Sequence, residues 1–109
     1  MTMFSLFKRK KMDEIKIYNK KDFSEAISNK NVPLVDVRTA NEYNAGKIAH
    51  AKNIDVMSPD FVDKIKELDK DKTTYIYCRS GNRSQKAARV MVDLGFKEVI
   101  DLEGGYMNW

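Results

Sequence analysis

The feature that most constrains this chain is Thr73-Thr-Tyr-Ile-Tyr77, in which every residue is β-branched or aromatic, followed at once by Cys78 and a polar, glycine-containing turn, Arg79-Ser-Gly-Asn82. Such a run reads as a strand. From about Arg83 or Ser84 the apolar spacing changes to that of a helix, with Ala87, Ala88, Met91 and Leu94 on one side and Gly95 placed to end it. The order is strand, cysteine, loop, helix. A chain built this way belongs with parallel α/β folds, where strands alternate with longer amphipathic segments.

The rest of the sequence repeats that alternation. Ile15–Tyr18 reads as a first strand and is followed by a helical stretch through Ser28, with Asp22 the expected N-cap and Phe23, Ala26 and Ile27 on one face. Pro33–Val37 reads as a second strand. Thr39 and Glu42 have the spacing of a capping box for the next helix, which Gly46 ends. Ala51–Ile54 gives a short third strand. Ser58-Pro59 marks a helix start with proline at its first position, followed by Phe61, Val62, Ile65 and Leu68 at helical spacing. Val99–Leu102 is the last strand. The expectation is one α/β domain, an open parallel five-stranded sheet flanked by helices on both faces, over residues 14–109 behind a basic N-terminal tail, 1–13. In such sheets ligands bind beyond the carboxyl ends of the strands, and Cys78 lies at one of those ends.

Charge narrows the function classes. The net charge is +4, and Lys8, Arg9, Lys10 and Lys11 account for all of it. The folded body balances to zero, whereas a nucleic-acid binder spreads basic residues along a groove-facing element, so nucleic acid is set aside as a partner. The tail places its apolar residues before its charges, the reverse of a secretory signal. Phe4, Leu6 and Phe7 with the basic cluster also form a pattern that can touch an anionic membrane surface; a frayed tail is the plainer reading, and no stable membrane association is expected. With no run long enough to span a bilayer, the expected location is the cytoplasm, where a single cysteine stays a free thiol.

A special role for Cys78 therefore has to come from its own reactivity. A strand that stops, a glycine-containing loop and a helix that starts bring backbone N–H groups and the positive end of a helix to one point, and that point attracts anions. The thiolate is the reactive form of cysteine, and those groups favour it. Against this stands the fact that free cysteines are among the most buried residue types and usually act as small hydrophobes. The polarity of Arg79, Ser80, Asn82, Arg83 and Ser84 argues for an exposed loop with a reachable thiol.

Cys78-Arg-Ser-Gly-Asn-Arg-Ser84 resembles the active loop of the rhodanese-homology domain family. Leu34-Val-Asp-Val-Arg38, Glu42-Tyr43, Gly46–Ile54 and Leu102-Glu-Gly-Gly-Tyr106 with Trp109 follow the same family in the same order. The resemblance implies a single-domain sulfurtransferase that needs no cofactor or metal. Cys78 would accept sulfane sulfur from a small anionic donor such as thiosulfate, or from a persulfide, and pass it to a thiophilic acceptor, cyanide or a protein thiol. By their places in the matched loop, Arg79, Ser80, Gly81, Asn82 and Arg83 would bind substrate. Arg79 would face the mouth, Gly81 would supply backbone freedom, and Ser80 and Asn82 would lend main-chain N–H groups. For Arg83 two orientations stay open, toward the oxyanion or outward at the helix start. Asp36, Arg38 and Glu42 resemble the family's strand-end polar cluster and are expected to brace the loop. Lys47 stands where the family commonly has histidine, and His50 where it commonly has glycine; both lie in the connection before the third strand.

Two rivals remain. Cysteine phosphatases and arsenate reductases on related folds also place a cysteine and an arginine around an oxyanion, but one residue more separates the two than the four between Cys78 and Arg83. The tighter spacing suits a single sulfur atom better than a tetrahedral phosphate. The other rival is a non-catalytic module, or a relay that carries sulfur for a protein partner.

Overall fold

The computed structural model describes residues 13–109. Five strands form one sheet in the spatial order β1-β5-β4-β2-β3, every neighbouring pair parallel: β1 Ile15–Tyr18, β2 Leu34–Asp36, β3 Lys52–Asn53, β4 Thr74–Tyr77 and β5 Val99–Leu102. Four helices connect them, α1 Lys20–Ile27, α2 Ala40–Ala45, α3 Phe61–Ile65 and α4 Asn82–Asp93, and a 3₁₀ turn, Tyr106–Asn108, follows β5. The expected open parallel α/β architecture is the one observed. The basic tail lies outside the described residues, apart from Asp13 at its boundary.

Two apolar clusters sandwich the sheet. On one face Val35, Val37, Ile76 and Val99 pack against Phe61 and Ile65 of α3 and Ala87, Ala88, Met91 and Val92 of α4. On the other, Leu34, Tyr77, Ile100 and Leu102 pack against Phe23 of α1, with Tyr43 of α2 and Trp109 at the margin. The adjacent central strands β2 and β4 thus send their following helices to opposite faces. Such a topological switch opens a crevice at the carboxyl ends of the two strands. Cys78 and Arg38 both sit there.

Several ends differ from expectation. Asn19, rather than Asp22, caps α1, accepting from the Asp22 N–H at 2.8 Å. An asparagine oxygen does the capping, while the Asp22 charge lies in the first turn near the positive helix end. Pro59 precedes α3 rather than opening it, because the Ser58 carbonyl accepts from the Phe61 N–H to close a turn. After the Lys66–Val62 bond the stretch to Leu68 continues as i+3 bonds, Glu67 to Lys64 and Leu68 to Ile65, so α3 is shorter than its apolar spacing suggests. Gly46 ends α2 with extended backbone; a Cβ there would lie 3.0 Å from the Tyr106 hydroxyl oxygen, so the glycine serves close approach. The capping box of Thr39 and Glu42 forms in both directions. Gly95, at φ 104°, takes the left-handed position after α4.

Candidate active site

Cys78 follows the last residue of β4, and α4 begins four residues later. The intervening turn needs Gly81, whose φ of 110° is open to glycine and strained for other residues. That conformation aims the Gly81 N–H at the cysteine, 3.0 Å from Sγ. Asn82 and Arg83 occupy the first turn of α4, where amides have no carbonyl partner within the helix. The Ser84 hydroxyl lies 3.3 Å from Sγ and 3.2 Å from the Gly81 carbonyl oxygen. One face of the cysteine is therefore lined by donors at the positive end of a twelve-residue helix.

Two expectations need correction here. The loop is exposed at Arg79, Ser80 and Asn82, but the thiol is not: Cys78 is 1% exposed, and its other face packs into the apolar cluster beneath α4. The polar residues arch over the sulfur rather than present it. Of the amides expected to converge, Gly81's is the one that bonds Sγ, and those of Asn82 and Arg83 belong to the first turn of α4.

The loop is held from below by the closing segment, Gly105 to Met107, which matched the family in sequence but carried no expected role in the site. The Tyr106 N–H donates to the Cys78 carbonyl at 2.8 Å and the Met107 N–H to the Arg79 carbonyl at 3.0 Å. Gly105 makes this approach possible; at φ 66°, a Cβ on it would come within 2.4 Å of the Arg79 oxygen and 2.7 Å of the Cys78 oxygen. Ser84 was missed as well. The readable signal for both was adjacency: Ser84 directly follows the loop, and a Gly-Gly pair after a strand demands unusual backbone.

Arg83 does not point at the sulfur. Its guanidinium grips the Glu42 carboxylate with two bonds, 2.7 and 3.0 Å, joining the head of α4 to the first turn of α2. This hydrogen bonding outweighs partial burial and holds the Glu42 carboxyl at about 2, well below the usual range, while the same pairing pushes Arg83 upward. Arg38 is engaged too. It is 4% exposed, bonds both Asp36 oxygens, donates to the Gly46 carbonyl at 2.6 Å and stacks 4.4 Å from the Tyr106 ring centroid. The expected cluster of Asp36, Arg38 and Glu42 thus divides into two ion pairs. A pocket of about 210 Å³ opens beside them, lined by Arg38, Glu42, Ala45, Gly46, Arg79 and Tyr106. Arg79 brings an exposed guanidinium to it. Lys47 instead covers the Tyr43 ring at 4.6 Å, and His50 is exposed at φ 71°, the left-handed geometry that suits glycine.

Comparison with known proteins agrees with this anatomy. The family model described as Rhodanese-like domain matches residues 19–109. The thiosulfate sulfurtransferase GlpE of Pseudomonas fluorescens is 33% identical over 88 residues, covering 81% of this chain and 79% of that protein. A tRNA uridine(34) hydroxylase of Cytophaga hutchinsonii is 37% identical over 81 residues, 72% of this chain but only 26% of its own length, so the likeness is to one part of that enzyme. Among solved structures, a rhodanese-related protein from Thermoplasma volcanium superposes with a TM-score of 0.75 at 34% identity, over 86% of this chain and 89% of that one. With the matched segment running through both the cysteine loop and the glycine pair beneath it, the chain belongs to the rhodanese-like domain family.

Proposed function

We propose that the protein is a sulfurtransferase that carries sulfane sulfur as a persulfide on Cys78. The observation that carries this reading is the Gly81 N–H donating to Sγ at 3.0 Å at the head of α4. In the loading step the Cys78 thiolate attacks the outer sulfur of thiosulfate. A bond forms from Sγ to that sulfur, the donor's sulfur–sulfur bond breaks, and its electron pair leaves on sulfite; three negative charges enter and three remain. The outer sulfur of the product is anionic near neutral pH, and the amides of Asn82 and Arg83 are available to hold it. Arg79 draws the anionic donor toward the pocket. Delivery reverses the logic: a thiophilic acceptor, free or on a partner protein, takes the outer sulfur and the pair returns to Sγ. A working free thiol fits a reducing compartment such as the cytoplasm.

The phosphatase reading loses ground on one observation. The arginine that would clamp a phosphate is committed in a two-point pair to Glu42. The test of sulfur transfer is intact mass after incubation with thiosulfate or a persulfide donor. One added sulfur, removed by cyanide and absent in Cys78→Ser, is expected. No adduct from any donor, or an adduct that survives the serine substitution, defeats the reading.

A further inference from the structure

Asp101 is a buried acid that neither the sheet nor the loop described so far requires. It lies in β5 opposite Ile76 of β4, two residues before Cys78, and is 2% exposed. Its Oδ2 accepts from Gln85 Nε2 at 2.8 Å, and its Oδ1 has no hydrogen-bond partner. An apolar residue, as at Val99 and Ile100, would fill the strand without burying a polar atom. Asp101 shares a sheet face with the nucleophile, since Ile76 opposite it and Cys78 belong to the same buried cluster; consecutive residues of α4 meet the two groups, the Ser84 hydroxyl 3.3 Å from Sγ and Gln85 on the Asp101 carboxylate.

We propose that Asp101 is a positioning residue for the charge on the cysteine. Lying on the same face of the sheet as the sulfur, its buried carboxylate disfavours negative charge on Sγ and so keeps transferred sulfur loaded, with the charge on the outer atom. The retention half rests on the persulfide reading above; the effect on the free thiol does not.

The chemistry follows from where the electron pair goes. When cyanide discharges the persulfide, its carbon bonds the outer sulfur, the sulfur–sulfur bond breaks with its pair on Sγ, and thiocyanate leaves beside a Cys78 thiolate. Two negative charges precede the step and two follow it, but one has moved inward toward Asp101. A carboxylate there opposes that move. Other charges approach from different sides. Arg83 on α4 couples to Cys78, while Glu42 from α2 and Asp55 after β3 act on Arg83; Arg79 lies in the exposed loop. Around Asp101, Gln85 and Ser84 come from α4, and the residues opposite it in β4 and β1 are Ile76 and Ile17. Burial raises the Asp101 carboxyl, with Gln85 first and Ser84 next pulling it back, so its influence fades as acid protonates it.

The experiment is the pH dependence of Cys78 alkylation by iodoacetamide in the wild type, Asp101→Asn and Asp101→Val, with folding checked by thermal melts. Both neutral variants should shift the midpoint down by roughly one pH unit. In protein first loaded with thiosulfate, a leaving thiolate of that lower basicity should speed cyanide discharge about threefold. A midpoint that stays or rises in the folded variants overturns the proposal, and discharge no faster than wild type overturns its retention half. Failure of the wild type to take up sulfur would defeat the sulfur-transfer reading alone, because alkylation still decides the role of Asp101.

Discussion

Two glycines near Cys78 are needed for different reasons, and the difference is measurable. At Gly81 a Cβ would meet nothing within 4 Å, so only the φ of 110° resists substitution. Gly81→Ala should therefore cost about 1–2 kcal/mol, the usual penalty for an L-residue in left-handed backbone. At Gly105 the same kind of backbone is compounded by main chain at 2.4 Å, which cannot rotate away as a side chain would. Gly105→Ala should cost more, about 3 kcal/mol or above, and should slow sulfur loading even in molecules that remain folded, because the Tyr106 and Met107 amides must leave the loop carbonyls. Urea unfolding of the two variants, with loading measured by mass, checks both the ranking and the split. Equal losses of stability, with loading intact in both, would remove Gly105 as the loop's support.

Between elements, the Arg83–Glu42 pair is the link that ties α2 to α4 across the mouth of the crevice. The Glu42 carboxyl titrates at about 2 in the folded chain against 4.5 for an ordinary glutamate. Its folded value is the lower one, so the stability it contributes is present above about 4.5 and is lost as pH falls toward 2. Partial exposure of both side chains screens the pair, and Arg83→Gln should cost only about 1 kcal/mol at pH 7. That difference from wild type should shrink through the window from 4.5 to 2, as read from urea midpoints at stepped pH. A cost that is constant with pH would assign the loss to packing rather than charge. This pairing spans 41 positions in sequence, which is why reading the chain could place Glu42 near Asp36 and Arg38 but could not choose its partner. Local signals carried farther: the capping box at Thr39, the glycine after α4 and the strand ahead of Cys78 each depend on residues within a turn of one another. The same limit hid the burial of the thiol, because polarity in Arg79–Ser84 reports on the loop's outer surface and says nothing of what closes beneath it.

Over the whole molecule, the two apolar clusters do unequal service to the site. The cluster on the α1 face includes Trp109, whose ring meets Phe23 edge-on at 6.3 Å, and whose segment also carries the amides that hold the loop. The opposite cluster includes Phe96, fully buried beyond the end of α4, next to the Lys97–Lys70 backbone bond at the far end of the sheet from Cys78. Both residues stabilise the chain by burial, so Trp109→Ala and Phe96→Ala should each be destabilising, the buried phenylalanine by about 3–5 kcal/mol and the partly buried tryptophan by somewhat less. Their effects on sulfur loading should diverge. Removing Trp109 frees the 3₁₀ turn from its anchor and lets the Cys78 and Arg79 carbonyls lose their donors, so loading per folded molecule should fall severalfold. Removing Phe96 leaves that turn in place, and loading per folded molecule should stay at the wild-type rate. The measurement is single-turnover thiosulfate loading at a temperature where melts show both variants folded. Equal loading defects would mean that the cradle responds to global stability and that the segment from Gly105 to Trp109 has no special hold on it.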